Sequence, residues 1–500
     1  MSAASVRLSE LVDGFAELAA GADRPVWGVE ADSRRVRPGE LFLAARGRSR
    51  HGLAFLQQAL DQGASAVAWE PGDVEPPRVC VPAVAVPRLS ERLGEIAARF
   101  YGRPSRVLSV TGVTGTDGKT SVAHIAAQTL NEAGMPCAYL GTLGFGVPGE
   151  LRPPTHTTPD PVALQRWLAH FAAAGVRATA MEVSSHALDQ SRVAGVQVRI
   201  AVLTNLTRDH LDYHGTLEAY AAAKRRLFSL PGLEWAVLNA DDSHGRRWLA
   251  ELHGQARTLA YGFGGRDGLA GAGERYLCAR SLACRPDGLR LELASSWGEG
   301  TVDSPLLGRF NAYNLMAAGA VLLLNGVAWR ATLAALERAR TVPGRMEAFR
   351  AARRPLVVVD YAHTPGALEQ ALSALRAHCR GRLWCVFGCG GGRDRGKRAL
   401  MGAAAARHAD ELIVTDDNPR DEDPAAIVRD ILSGLPAGRS APVEHDRGRA
   451  IERALSAAAS NDAILVAGKG HETVQVVGGE RRAFSDRHFV AGRLGLEVAA

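Results

Sequence analysis

The 500-residue sequence has seven cysteines and no Cys-x-x-Cys pair among them. An odd count without paired spacing argues against a disulfide framework and against a thiolate zinc site. Cys389 alone lies inside a motif, and a buried structural thiol is its expected role. No uninterrupted apolar run is long enough to span a bilayer. The opening Met1-Ser2-Ala3-Ala4-Ser5-Val6-Arg7 does not read as a signal peptide, so the expectation is a cytoplasmic chain without membrane insertion. Aromatics are sparse at 6% and interleave with no Lys/Arg block, so the net charge of +6 does not describe a nucleic-acid binder. That excess suits small substrates bearing phosphate and carboxylate. Internal repeats and low-complexity tracts are missing too, which excludes a solenoid.

What is present is a phosphate loop. Thr111-Gly112-Val113-Thr114-Gly115-Thr116-Asp117-Gly118-Lys119-Thr120-Ser121 follows a strand reading over Val107–Val110 and precedes a helix expected from about Thr120 to Leu130. Glycines let the backbone turn and aim N–H groups at phosphate oxygens, and the helix N-terminus adds positive potential. Lys119 is placed to reach the terminal phosphates, and the Thr120 hydroxyl to ligate Mg²⁺. The glycine expected four residues before Gly118 is Val113; Gly112 sits one place early, and Gly115 partly substitutes.

Five hundred residues exceed one hydrophobic core. Turn signals at Tyr101-Gly102-Arg103-Pro104 and Val342-Pro343-Gly344-Arg345 divide the chain into 1–104, 105–341 and 342–500. The first part reads as a small α/β domain with a polar glycine-flanked loop at Gly47–Gly52. In the second, apolar segments run into Glu182-Val183-Ser184-Ser185-His186, Thr204–His210 and Asn239–Asp242. The third repeats the theme at Asp360, Gly388–Asp394, Thr415–Arg420 and Gly468–Glu472. Parallel α/β sheets present ligand groups at the carboxyl ends of their strands. The stretch from about Tyr261 to Asp303 reads as a glycine-rich peripheral sheet.

Glu182 at a strand end suits Mg²⁺, a hard cation that prefers oxygen; His210 is a second, less natural contact. Taken alone, His156-Thr157-Thr158-Pro159-Asp160 is an ordinary helix N-cap and Lys224 a solvated helix lysine. Arg393 and Arg420 are each ordinary surface arginines by themselves. Together with Gly468 and Glu472 they suggest a pocket for a ligand carrying both carboxylate and ammonium.

These motifs together resemble the Mur ligase family, the ATP-dependent ligases that build the peptide stem of peptidoglycan. The resemblance rests on Thr114–Thr120, Glu182–His186, Asn205–His210, Gly308-Arg309-Phe310-Asn311-Ala312-Tyr313-Asn314, Pro343-Gly344-Arg345-Met346-Glu347 and Asp360–Pro365. Asp117 stands where the family usually has Asn. The resemblance implies a three-domain α/β architecture. A UDP-sugar-binding domain would precede a central P-loop parallel-sheet ATPase-like domain and a Rossmann-like C-terminal domain.

Within the family, Asp417-Asn418-Pro419-Arg420 is similar to the motif of members that add meso-2,6-diaminopimelate to UDP-N-acetylmuramoyl-L-alanyl-D-glutamate. Diaminopimelate carries a carboxylate that lysine lacks, and Arg420 would pair with it. By this resemblance Arg393, Asp417, Asn418, Pro419, Arg420, Gly468 and Glu472 hold the amino acid. Ser33, His156, Thr157, Thr158, Ser184, Gln190 and Arg192 hold the UDP-sugar dipeptide. ATP meets Gly112, Thr114–Ser121, Asn311, Arg345 and Asp360, while Thr120, Glu182 and His210 place Mg²⁺. Lys119, Glu182, His210 and Lys224 are the implied catalytic groups, Lys224 matching a lysine that many members carbamylate. A monomer working through an acyl phosphate is expected. The rivals are a lysine-adding relative, a folylpolyglutamate synthase-like ligase, and a P-loop ATPase without ligase activity.

Overall fold

The computed structural model describes residues 5–47, 49–154, 156–263, 269 and 273–498. Arg48 of the Gly47–Gly52 loop, and 264–268 and 270–272 of the glycine-rich stretch, lie outside them. Two compact units are present: Met1–Leu277 with Ala317–Ala328, and Cys278–Met316 with Trp329–Ala500.

Besides a short antiparallel pairing of Val6–Arg7 with Pro25–Val26, the described residues of the first unit form two sheets. The smaller is wholly parallel, in the order Val29–Glu30, Leu41–Ala44, Ala66–Trp69, Ala83–Ala85. Every residue of Leu41–Ala44 and Ala66–Trp69 is buried, as expected for short strands covered on both faces. Helix Leu89–Phe100 buries Leu89, Ile96 and Ala97 in the core beneath that sheet.

The larger sheet runs Arg257–Gly262, Trp235–Asn239, Ile200–Leu203, Ser109–Thr114, Ala178–Glu182, Cys137–Gly141, all parallel, then Gly144–Gly146 antiparallel at the edge. Ser109–Thr114 comes first in the chain and sits in the middle. Later strands add on one side and then the other. The crevice where the order reverses opens at the carboxyl end of this central strand, the place where such sheets bind ligands.

The strand starts two residues later than the apolar run suggests. Pro104–Arg106 forms a 3-10 turn, and Val107 is 74% exposed. Ladder partners begin at Ser109, paired with Ala178, on one side and at Thr111, paired with Ile200, on the other, and carry the strand on to Thr114, paired with Leu203. The helix is Lys119–Glu132, with Gly118 at its N-cap at φ +83°, a conformation glycine adopts without strain.

In the second unit, Arg275–Arg285, Gly288–Ser295 and Gly298–Ser304 are the strand-like part of the glycine-rich stretch. The unit's main sheet runs Glu347–Phe349, Leu356–Asp360, Ala463–Ala467, Leu383–Phe387, Glu411–Val414, antiparallel only at the first pairing. Alternate residues feed two cores. Val358, Cys385, Phe387 and Leu465 face one, and Val357, Val359, Val386 and Ile464 the other. This doubly covered parallel sheet is the α/β arrangement anticipated from the apolar segments. No helix among the described residues is long and apolar enough to cross a membrane.

His124, on the phosphate-loop helix, is buried with Nδ1 lacking any hydrogen-bond partner, and burial pushes its pKa down to about 4. An unfolded histidine titrates near 6.5. The unfolded chain therefore gains a proton between these values while the folded one does not, and stability falls as pH drops through that window. His124→Phe removes no hydrogen bond. It is expected to match the parent near neutrality and to exceed it by about 2 kcal/mol near pH 4.5, measured by urea unfolding at both pH values.

Candidate active site

The phosphate loop is built by close packing. Gly115 has φ +150°, and a Cβ there would sit 1.8 Å from Thr204 Oγ1. The segment after Leu203 braces the loop. The Thr116 N–H donates to Asn205 O (2.9 Å), the Asp117 N–H to Asn205 Oδ1 (3.0 Å), and Thr204 Oγ1 to Asp117 O (2.6 Å). Thr116 Oγ1 also meets Thr207 O and the Tyr220 hydroxyl. Thr204 and Asn205 thus shape the glycine-rich loop. Their polar positions just after a strand were visible in the sequence, but spacing alone assigned them nothing.

Two lysines converge on one carbonyl. Lys119 Nζ donates to Gly115 O (3.0 Å) and Thr116 O (2.8 Å). Lys224 Nζ donates to the same Gly115 O (2.6 Å) and lies 4.4 Å from the centre of the Tyr220 ring. Burial lowers the pKa of both. Lys224 falls to about 6, driven first by desolvation and then by the Lys119 charge. It is a fully buried side chain, not the solvated helix lysine its sequence context suggests.

Glu182 ends the neighbouring strand with both oxygens engaged. Oε1 accepts from the Tyr139 hydroxyl (2.5 Å) and the Thr142 N–H (2.7 Å), and Oε2 accepts from Thr120 Oγ1 (2.7 Å). A carboxylate and a hydroxyl at the loop's mouth are hard oxygen donors and fit Mg²⁺. Tyr139, in the middle of strand Cys137–Gly141, and Thr142, just after it, orient that carboxylate, and no local pattern in the sequence marks them. His210 is differently engaged. Its imidazole pairs with Asp209 (3.4 Å) and stands edge-on to His186, ring centres 4.9 Å apart.

The residues implied for the UDP-sugar peptide fall into two places. Thr158 Oγ1 donates to Glu182 O (2.9 Å) and accepts from the Ser184 N–H (3.2 Å). Arg192 donates to Thr158 O (3.1 Å) and, through two nitrogens, to Gln190 Oε1. Thr157 meets Thr142 through their hydroxyls, and His156 is exposed. Ser33 is buried on the smaller sheet's side, donating to Gln58 Oε1 (2.8 Å).

In the second unit, Asp360 is buried and accepts N–H bonds from Met346 and Ala362, both 2.7 Å, while burial raises its pKa. Arg345 stacks over the Tyr361 ring at 4.9 Å. Asn311, in the first turn of helix Arg309–Leu324, donates to Leu307 O just before that helix (2.8 Å). The Gly468 N–H donates to Asp360 O (3.1 Å), tying these groups to the amino-acid loops. There, Asn418 Nδ2 donates to Glu472 Oε2 (2.9 Å), and the Gly391 N–H to Asn418 O (2.9 Å). Arg420 sits at φ +54°, uncommon for a side chain of its size. Its backbone is clamped: its N–H donates to Val476 O (3.0 Å), and its carbonyl accepts from the Gly478 N–H (2.7 Å). Pro419 is buried beside it, and Arg393 is exposed. Asp417 is buried with Oδ2 unpartnered, and burial raises its pKa. Lys469, between Gly468 and Glu472 in the chain, is fully buried, and no local pattern in the sequence marks it.

Three family descriptions match in order: "Mur ligase family, catalytic domain" at 25–101, "Mur ligase middle domain" at 113–322 and "Mur ligase, glutamate ligase domain" at 344–470. The UDP-N-acetylmuramoyl-L-alanyl-D-glutamate--2,6-diaminopimelate ligase of Alkalilimnicola ehrlichii is 53% identical, covering 99% of this chain and 100% of the relative. A solved structure of a ligase of that name is 37% identical with a TM-score of 0.78, covering 98% and 99%. Mycobacterium tuberculosis folylpolyglutamate synthase complexed with ADP and AMPPCP shares the fold at 20% identity and a TM-score of 0.57, covering 76% and 92%.

Gly115→Ala places a side chain against Thr204 at a backbone angle that disfavours one. Nucleotide affinity is expected to fall more than about tenfold, measured by titration with a fluorescent ATP analogue. Unchanged affinity would show that the loop tolerates displacement.

Proposed function

This chain belongs to the Mur ligase family, and from that membership we propose that it joins 2,6-diaminopimelate to UDP-N-acetylmuramoyl-L-alanyl-D-glutamate, consuming ATP, in the synthesis of peptidoglycan precursor. The observation that carries the substrate choice is Arg420, clamped beside Asn418 and Glu472. A guanidinium and a carboxylate on one rim suit an amino acid that presents a carboxylate and an ammonium. An unpaired guanidinium would disfavour lysine.

The reaction runs in two steps. The glutamyl carboxylate attacks the γ-phosphorus of ATP, the bond to ADP breaks, and an acyl phosphate forms. The diaminopimelate amine then attacks the acyl carbon, phosphate leaves, and the amine loses its proton to give the amide. The loop N–H groups and Lys119 offset charge on the transferring group. In this reading Lys119 exchanges its loop carbonyls for phosphate oxygens. Asn311, Arg345 and Asp360 are assigned to ATP, and Thr157, Thr158, Ser184, Gln190 and Arg192 to the UDP-sugar peptide with Ser33 and His156. Thr120 and Glu182 would hold Mg²⁺, with His210 as a further contact; when bound, the ion neutralises phosphate charge. We place the enzyme in the cytoplasm as a monomer, with no nucleic-acid partner.

Lys224 is assigned a carbamate. A lysine with a pKa near 6 is mostly a neutral amine at neutral pH, the form that adds CO₂. Addition turns that neutral amine into an anion beside the Lys119 ammonium, so the two groups that share Gly115 O attract one another.

Two measurements test these assignments. Phosphate release from ATP, Mg²⁺ and the UDP-sugar dipeptide is expected to rise strongly with meso-diaminopimelate and little with lysine, with the tripeptide product found by mass. Stimulation by lysine would remove the role given to Arg420, and indifference to every acceptor would remove the ligase reading. Depleting CO₂ is expected to lower activity reversibly, with bicarbonate restoring it. The loss should be greatest below about pH 6, where Lys224 protonates. Activity indifferent to CO₂ would sink the carbamate.

A further inference from the structure

Three short segments supply the amino-acid pocket of the second unit: Asp417–Arg420, Gly468–Glu472 and the hairpin Val474–Val477 with Glu480–Ala483. One buried ammonium touches all three. Lys469 Nζ donates to Glu472 Oε2 (3.0 Å), to Val474 O (2.8 Å) and to Asn418 Oδ1 (3.4 Å). Its side chain is 0% exposed, whereas that of Glu472 is 31% exposed. We propose that Lys469 is the positioning residue of the diaminopimelate pocket, acting through Glu472 and Asn418 rather than on the substrate. This inference rests on the function proposed above.

The geometry gives the mechanism. Asn418 Oδ1 accepts from Lys469 and from the Val476 N–H (2.9 Å), so the amide nitrogen is turned to Glu472 and donates to the same Oε2 that Lys469 holds. Both internal bonds therefore fall on one carboxylate oxygen. Among the described residues, Oε1 takes none and is left for a substrate ammonium. Val474, held by Lys469, begins the strand whose Val476 carbonyl accepts the Arg420 N–H. The one cation thus sets the carboxylate directly and the arginine through the hairpin. A buried lysine without these acceptors would be strongly destabilising, which is a reason for it to keep this geometry.

Glu472 is the group whose titration reports this. The charged and titratable groups around it are Lys469 and His471 on its own segment, with Asp417, Arg447 and Tyr361 from neighbouring elements. Its pKa lies below the usual carboxylate value because the bonds from Asn418 and Lys469 outweigh burial. Removing Lys469 raises that pKa, so the acid limb of kcat/KM for diaminopimelate moves to higher pH.

The test uses Lys469→Met in the full chain, with ATP, UDP-sugar dipeptide and diaminopimelate varied separately. The KM for diaminopimelate is expected to rise about tenfold or more, with those of ATP and the dipeptide within about twofold of the parent. In ligand-free protein, the Glu472 carboxyl resonance should titrate at higher pH than in the parent. Lys469→Arg, which keeps a cation, should restore part of both. If Lys469→Met does not fold, the double variant Lys469→Met with Glu472→Gln buries no unpaired charge. Its diaminopimelate KM should then exceed that of Glu472→Gln alone by less than about tenfold, the part that Lys469 carries through Asn418 and the hairpin. An unmoved Glu472 midpoint overturns the proposal. So does a parallel rise in all three KM values, or a double variant much worse than Glu472→Gln. A parent enzyme that ignores diaminopimelate overturns the proposed function instead. The carboxyl titration needs no substrate and still reads Lys469.

Discussion

One carbonyl, that of Gly115, accepts from the side-chain nitrogens of two lysines that water would otherwise keep charged. Bringing both to one partial negative charge in a buried place disfavours their charged forms, and the surrounding structure is arranged around that cost. The phosphate loop holds Gly115 O in position because its glycine backbone packs against Thr204, where no side chain fits. Helix Leu217–Arg225 delivers Lys224 from the other side, and the Tyr220 ring covers it. On the function proposed above, a phosphate anion at Lys119 and a carbamate on Lys224 would both relieve the local excess of positive potential.

Glu182 offsets that excess from the adjacent strand. Three donors, from Thr120, Tyr139 and Thr142, keep its carboxylate at the mouth of the loop. The register of Glu182 opposite Val113 is what brings the two strand ends level. The loop, its lysine and its carboxylate depend on one another through a parallel ladder buried on both faces. A sheet of this kind tolerates polar side chains only at its ends, and the chemistry gathers there.

The second unit solves a similar problem with buried cations of its own. Arg447 and Asp486 form a fully buried pair, and Arg447 also donates to Ala467 O at the end of a central strand. Lys469 is buried two residues on, spread over three acceptors. Such groups are expensive unless every donor is used, so they lock the loops that carry them. In the pocket proposed above, Arg420 is held by backbone contacts and Glu472 by one internal charge.

The linear chain determined the kind of fold and the kind of chemistry. Apolar segments ending in Glu182, Asp360 and Gly468 announce parallel strands with polar ends, because a strand buried on both faces must be apolar along its length. Gly-Lys-Thr at a strand–helix junction announces phosphate for an equally local reason. The tertiary structure decided what depends on long-range approach. It started the central strand at Ser109 instead of Val107, since neighbours set a ladder's register. It buried Lys224, which sequence context renders as a solvated helix lysine, and it buried Lys469 as well. It separated Ser33 from Thr158 into different hydrogen-bond groups and brought Thr204 and Asn205 to the loop. Periodicity and turn chemistry act over a few residues and can be read along the chain. The burial of a charge is set by groups tens or hundreds of residues away, and only the folded arrangement states it.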